Sequence, residues 1–142
     1  MKAGETATTT LGELFARAIA AKDRARLRSV LADPIDFRAL TPQRYWEATS
    51  AEEVVDKIIL GEWFDSGDHI QELCSVTTAD VSDRHHVAYR MRVRNADGEF
   101  YVEQQAYYRV KGDWIDSLRI LCSGYRPATP PLDSAGDSPG AQ

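Results

Sequence analysis

Tyr89, Gln104, Tyr108 and Arg119 are the side chains best equipped for chemistry, because their spacing puts them on one face of an otherwise apolar wall. Tyrosine and glutamine offer neutral hydrogen bonds, and arginine a fixed positive charge. Set together they would hold a carbonyl, an enolate or a carboxylate. The stretch from Arg84 to Gly124 reads as three strands joined by tight turns at Asp97-Gly98 and Gly112-Asp113. Such pairs between alternating runs signal two-residue hairpins, and the turn then dictates register and face. Counting from Gly112-Asp113 sets Tyr108 opposite Ser117, Ala106 opposite Arg119 and Gln104 opposite Leu121. Counting from Asp97-Gly98 sets Tyr89 opposite Ala106 and Met91 opposite Gln104. Phe15, Trp46 and Trp63 would supply the facing wall, and Val76, Cys74 and Glu72 a further strand beyond a Ser82-Asp83 turn.

An arginine aimed into such a wall needs a carboxylate, a hydrogen-bond network or an anionic ligand. Two readings stay open. Arg119 binds the anionic or carbonyl group of a ligand, or it is held by Glu72, Asp36 or backbone carbonyls and orders the fold. A one-residue shift at the Gly112 turn would exchange the faces, turning Asp116 in and Arg119 out. In the counted register the inner positions of the three strands carry no Asp or Glu, so Asp36, Glu47, Glu62 and Glu72 remain as candidate bases. No catalytic residue is assigned, and whether the chain is an enzyme stays open.

Other chemistries find little support. His85 and His86 are strand neighbours pointing to opposite faces, so they cannot share a metal. Ser117 and Ser123 lack His and Asp partners for a triad. No Gly-rich loop opens a helix, so no nucleotide or other cofactor is expected. Cys74 and Cys122 read as two buried free thiols in a reducing compartment. The formal charge of −5 argues against nucleic acid, and no run approaches the roughly 20 apolar residues of a membrane span. The start of the chain lacks the apolar block of a secretory leader, so a cytoplasmic protein is expected.

The elements that must position these residues are legible in outline. At 142 residues, 43% hydrophobic and 27% charged, the chain suits one soluble domain. Thr10 with Glu13 forms a capping box ahead of a helix whose apolar stripe is Leu11, Leu14, Phe15, Ala18 and Ile19. Asp23 caps a short second helix bearing Leu27, Val30 and Leu31, which Asp33-Pro34 ends. Ile35–Leu40 alternates as a strand and Arg44–Ala48 returns beside it. Ser50 with Glu53 caps a third helix carrying Val54, Val55, Ile58, Ile59 and Trp63, which stops near Gly67. His69–Val81 is a long strand, and the three strands above follow. Residues 1–9 read as a flexible N-terminus, 10–126 as a single domain, and 127–142 as a disordered Pro, Ala, Ser and Gly tail. On the outer sheet face Arg92 would oppose Glu103 and Arg94 would oppose Tyr101. Tyr107, Trp114, Leu118 and Ile120 would form an apolar patch suited to a second copy.

This order of elements resembles the nuclear transport factor 2-like superfamily, which includes SnoaL-like cyclases and ketosteroid isomerase-like proteins. The resemblance is carried by Arg38…Thr41-Pro42…Tyr45-Trp46, the capped helix from Ser50, and Asp97-Gly98-Glu99-Phe100…Glu103-Gln104-Gln105-Ala106-Tyr107-Tyr108. Val110-Lys111-Gly112-Asp113-Trp114-Ile115 and the ending Leu121-Cys122-Ser123-Gly124-Tyr125-Arg126-Pro127 add to it, so it spans about Thr10 to Pro127. It implies an α+β cone of the cystatin-like kind, a curved antiparallel sheet wrapped around N-terminal helices, with a pocket between them. It also implies a homodimer through the outer sheet face. Isomerase-like members use a carboxylate base with a tyrosine and a protonated acid, and epoxide-hydrolase-like members an Asp-Arg-Asp set. The inner wall as counted departs from both. The expected function is a small-molecule-binding or isomerase-like protein for a hydrophobic ligand with an anionic or carbonyl group. A non-catalytic dimerisation or protein-interaction domain using the outer face is the alternative.

Overall fold

A computed structural model describes residues 9–128. The expectations of a flexible N-terminus and a disordered tail fall almost wholly outside these residues. The elements are α1 (Leu11–Ala21), α2 (Arg24–Val30), β1 (Leu31–Thr41), β2 (Arg44–Ala48), α3 (Glu53–Trp63), β3 (His69–Val81), β4 (Arg84–Asn95), β5 (Gly98–Lys111), β6 (Trp114–Cys122) and β7 (Arg126–Pro127). The result is an α+β domain.

Caps start the helices where the sequence places them. Thr10 Oγ1 accepts from the Glu13 N–H at 3.0 Å, Asp23 Oδ1 from Arg26 at 3.1 Å, and Ser50 Oγ from Glu53 at 3.1 Å. The ends differ from expectation. α2 stops at Val30, and Leu31 already belongs to β1, opposite Ile115. The residue before a proline disfavours helical geometry, and strand pairing captures the chain a little earlier still. α3 ends at Trp63 and is wound as a π-helix, its last turn closed by the Phe64 N–H donating to Ile59 O at 2.9 Å. Gly61 suits this winding, since a Cβ there would lie 2.5 Å from the Asp56 carbonyl oxygen.

The sheet has seven strands, with β2-β1-β6-β5-β4-β3 as its main order and β7 paired to β5. All pairs are antiparallel except β1 with β6, which run parallel. That parallel pair is the one exception in the curved antiparallel sheet expected. At the first meander turn Asn95 pairs with Gly98, so Ala96-Asp97 form the tip and Gly98 takes a φ of 130°. The register therefore slides by two residues from the count: Tyr89 faces Gln104, and Met91 faces Val102. An even slide leaves every face unchanged. On the outer side Arg92 consequently opposes Tyr101 and Arg94 opposes Glu99, not Glu103 and Tyr101.

The second turn begins as expected, with Lys111 opposite Trp114 and Val110 opposite Ile115. Arg109 then opposes Ser117, so Asp116 is an extra residue in β6. This β-bulge reverses the faces of everything that follows. Tyr108 opposes Leu118, Tyr107 opposes Arg119, Ala106 opposes Ile120, and Gln104 opposes Cys122. Adjacent Ser117 and Leu118 are both buried, the mark of the phase change. β3 has register breaks between Ile70 and Glu72 and between Leu73 and Ser75. Ile70, Leu73 and Val76 pack against the core, while Cys74 is exposed and Glu72 pairs outward with Arg92 at 3.5 Å. The expected inward placing of Cys74 and Glu72 is thus corrected, and so is a buried Cys74.

α1 lies against β3 and β4. Phe15 and Ile19 are fully buried, each worth roughly 1.5–3 kcal/mol of apolar burial. Phe15 meets the Tyr89 ring edge-on at 6.4 Å. Gly12 is small because Tyr108 crowds it: a Cβ would stand 2.6 Å from the phenol oxygen. α3 packs against α2. Toward the sheet its Trp63 ring lies 6.2 Å from Phe37 and 5.9 Å from Trp46. Among the described residues no helix is long and apolar enough to cross a membrane.

Candidate functional site

Register places Tyr89, Gln104 and Cys122 side by side on the inner faces of β4, β5 and β6. The Tyr89 hydroxyl donates to Gln104 Oε1 at 2.6 Å. Gln104 is 1% exposed, and its amide nitrogen has no hydrogen-bond partner. That nitrogen is turned toward the Cys122 sulfur, a weak acceptor, without reaching hydrogen-bond geometry. Burial pushes the Cys122 thiol above its ordinary range, with the Gln104 amide and the Gly124 N–H opposing that rise. Burial likewise holds the Tyr89 phenol well above its ordinary range, so the row is neutral near pH 7.

Two ends bound this row. At the α1 end, Tyr108 Oη accepts from the Gly12 N–H at 2.9 Å. Burial raises the Tyr108 phenol, and the Gly12 N–H and nearby Thr10 partly offset this. At the other end, the segment after β6 folds over the last turn of α3. Tyr125 packs on Phe64 at 6.2 Å and Phe100 at 5.5 Å, and donates to the Trp63 carbonyl at 2.6 Å. Burial first, then neighbouring Asp68, drives the Tyr125 phenol far upward. Asp68, which the sequence reading passed over, is the single buried charged residue among those described. It accepts from Asn95 Nδ2 at 2.9 Å and from the Asp65 N–H at 3.3 Å, which commits it to closing the α3–β3 connection. The Asp65-Ser66-Gly67-Asp68 turn, with Gly67 N–H donating to Asp65 Oδ1, was its sequence signal.

The residues singled out from sequence separate into two groups. Tyr89, Gln104, Tyr108, Phe15 and Trp63 are buried on the inside of the cone. Trp46 is half-buried against Trp63, its indole N–H donating to Thr41 Oγ1 at 2.9 Å. The Trp63 indole nitrogen is buried and has no partner. Arg119 does not join them. The bulge at Asp116 turns it to the outer face, where it donates to Asp36 Oδ2 at 3.0 Å and to the Asp36 carbonyl at 3.0 Å. Asp116 does not turn inward either, and lies 3.3 Å from Arg109.

The candidate bases are placed on the surface. Asp36 serves Arg119, Glu47 accepts from the Tyr45 hydroxyl at 2.6 Å, Glu72 serves Arg92, and Glu62 is exposed. His85 contacts Asp80 at 2.8 Å, and His86 contacts Gln105 at 3.1 Å. The outer apolar patch also changes membership. Leu118 and Ile120 are buried inside, while Leu40, Tyr45 and Leu121 are exposed at 52%, 51% and 58%. These three form one cross-strand row, Tyr45–Leu40–Leu121, continued by Gln105, Ala88 and Thr77. The expected cation–π contact is made by Arg90, whose guanidinium sits 4.0 Å above the Tyr101 ring.

No protein-family model and no curated protein matches the sequence. Solved structures do match. A nuclear transport factor 2-like protein from Burkholderia thailandensis is 21% identical, with a TM-score of 0.58 over 82% of this chain and 92% of that one. A hypothetical protein with a ketosteroid isomerase-like fold from Catenulispora acidiphila, in complex with trimethylamine, is 14% identical, with a TM-score of 0.57 over 91% and 94%. An epoxide hydrolase of the LEH-like kind from Mycobacterium tuberculosis is 8% identical, with a TM-score of 0.58 over 80% of each chain.

Proposed function

The chain has the nuclear transport factor 2-like fold, and on that premise we propose that it binds a small apolar molecule inside the cone, beneath α3. The observation that carries this reading is the Gln104 amide. It is buried, held in place by Tyr89, and its nitrogen lacks a partner. A buried donor left unmatched costs about 1–3 kcal/mol, which a ligand acceptor would recover. Phe37, Trp46 and Trp63 pack against one another beneath α3, so a ligand takes its place by displacing these aromatic side chains. Phe15 and Tyr89 form the floor, and Tyr108 closes the α1 end.

The site is read as binding rather than proton-transferring. Asp36, Glu47 and Glu72 are engaged on the outer face, and Asp68 is committed to Asn95 and the Asp65 amide. The Catenulispora protein carries trimethylamine; among the described residues the one buried carboxylate, Asp68, is already engaged by Asn95 and the Asp65 amide. A thermal-shift and native mass-spectrometry screen of small apolar compounds tests the reading. A ligand bound by the wild type and lost in folded Tyr89→Phe/Gln104→Leu supports it. Ligands that bind the double variant equally well, or no ligand at all, remove it.

The outer face favours a second, compatible reading: a two-fold homodimer. Leu40, Tyr45 and Leu121 project from one half of the sheet. Beside them lies an open groove of about 510 Å³, lined by Ser75, Thr77, Ala88 and Gln105, by the Arg90–Glu103 ion pair, and on one side by Leu121 itself. A two-fold axis between β5 and β6 would set the projections of each copy over the groove of the other, an isologous contact. Light scattering at micromolar concentration tests this, and a monomer mass rejects it.

A further inference from the structure

We infer that the groove between α1 and α2 is a docking site for an acidic peptide segment of a partner protein, one that sets an aliphatic side chain between carboxylates. The corner that makes the groove is short. Lys22 ends α1 in the left-handed region at a φ of 52°, its N–H donating to Ile19 O and that of Asp23 to Ala18 O, both at 2.9 Å. Asp23 then caps α2 at once, so the two helices pack against each other. Between them lies a cavity of about 490 Å³. Leu14, Ala18, Ala21 and Val30 give it an apolar floor, the two alanines leaving room that larger side chains would fill. Arg17 lines it from α1 and Arg26 from α2.

Charge identifies the occupant. Residues 11–30 carry five cationic side chains against Glu13 and Asp23, a net +3 in a chain of net −5. Two of the five are used within the fold, Lys22 on the carbonyls of Asp65 and Asp68 and Arg24 on Asp56. Arg17 and Arg26 stay available. Among the described residues each is paired only one turn back, Arg17 with Glu13 at 2.8 Å and Arg26 with Asp23 at 3.3 Å, and both side chains are largely exposed. Such pairs are worth little and give way to a partner that also buries apolar surface. Asp23, the acid that lines the groove, is turned to the α2 cap, where it accepts from the Arg26 N–H. The two guanidiniums stand on different helices with the aliphatic floor between them, so carboxylates on both sides of one aliphatic side chain match the groove. That side chain would cover Leu14, which is exposed. A peptide carries this pattern within a few residues.

A rhodamine-labelled peptide, Asp-Glu-Asp-Leu-Asp-Glu-Asp, tests this by fluorescence anisotropy on the full chain. It is expected to bind, and to bind more weakly as salt rises. Replacing its leucine by serine should weaken binding about tenfold, the loss of one partly buried aliphatic side chain. Arg17→Gln and Arg26→Gln should each weaken it about two- to fivefold, as for an exposed ion pair. Both residues lie on the surface, and an unchanged thermal midpoint checks that each variant folds. Arg26→Glu should weaken the acidic peptide further and strengthen a version with lysines on one side of the leucine. Arg38→Gln, which alters a cation of the outer sheet face, should leave binding unchanged. Equal binding of the serine peptide, or an equal loss in Arg38→Gln, would mean adhesion by general charge and would overturn the site. No binding at about 1 mM protein would do the same. Binding to phosphatidylglycerol vesicles that is lost in the two arginine variants, with none to the peptide, would assign the groove to a membrane surface instead.

Discussion

Arg119 reaches Asp36 at 3.0 Å on the outer face of the sheet, on the opposite side of the strands from Tyr89 and Gln104. The bulge at Asp116 sets the one guanidinium counted toward the inner wall on the outer face, where Asp36 pairs with it, and the wall is left with neutral polar groups. An interior of this kind selects by shape and hydrogen-bond direction rather than by charge.

The pair makes its own prediction. Hydrogen bonding from Arg119 holds the Asp36 carboxyl below its ordinary value, against the opposing effect of burial. A carboxylate depressed in the native state stabilises the fold above its unfolded value near 3.9, and the contribution fades as pH falls through the lower native value. The side chains are 41% and 52% exposed, so solvent screening keeps the contribution under about 1 kcal/mol. Arg119→Ala should raise the Asp36 titration midpoint, followed by carboxyl NMR, with little loss of unfolding free energy. An unmoved midpoint would mean that Arg119 does not engage Asp36.

Gly12 and Tyr108 should be energetically coupled. Gly12→Ala forces a Cβ to within 2.6 Å of the phenol oxygen and should cost about 1–3 kcal/mol. Tyr108→Leu orphans the Gly12 N–H and loses ring packing. The double variant should lose clearly less than the sum of the two, because each change relieves the other. Additive losses in urea unfolding would place the two residues out of contact.

Tyr89→Phe leaves Gln104 Oε1 unmatched, and Gln104→Leu leaves the Tyr89 hydroxyl unmatched. Each should cost about 1–3 kcal/mol. Removing both partners together should cost less than either single change. Denaturant unfolding of the four proteins measures this, and a double variant weaker than both singles would contradict the hydrogen bond.

For the outer face, Leu121→Asp places a charge at the centre of the exposed row beside Leu40. If two copies meet there, light scattering should change from dimer to monomer mass with the thermal midpoint little altered. A dimer that survives the change must use another surface.

Much of the architecture was legible. The capping boxes at Thr10 and Ser50 and the strand His69–Val81 follow from local chemistry, which sequence records directly. Local winding of α3 as a π-helix was not, because its apolar positions Val54, Val55, Ile58 and Ile59 fit either helix. The inner wall was legible as far as Ile115 and no further. A bulge inserts one residue without any motif of its own. A trace was nonetheless present: Ile115 is apolar at an odd position, whereas Leu118 and Ile120 are apolar at even ones. The slip falls between Ile115 and Leu118, and the apolar Leu121 in the original phase masks it. The three-residue spacing of Ile70, Leu73 and Val76 carried the same message in β3, since an unbroken strand alternates by two.

The central claim is that a small apolar ligand sits beneath α3, and three indole N–H groups report on it directly. Trp63 Nε1 is buried without a partner, Trp46 Nε1 is bonded to Thr41 at 2.9 Å, and Trp114 is 47% exposed. Titration of ¹⁵N-labelled protein with 6-propionyl-2-(dimethylamino)naphthalene should move the Trp63 indole resonance saturably downfield as it gains an acceptor. Trp46 should follow weakly and Trp114 should stay in place. Movement of Trp114 with Trp63 unchanged, or saturation with no indole shift, would contradict the account.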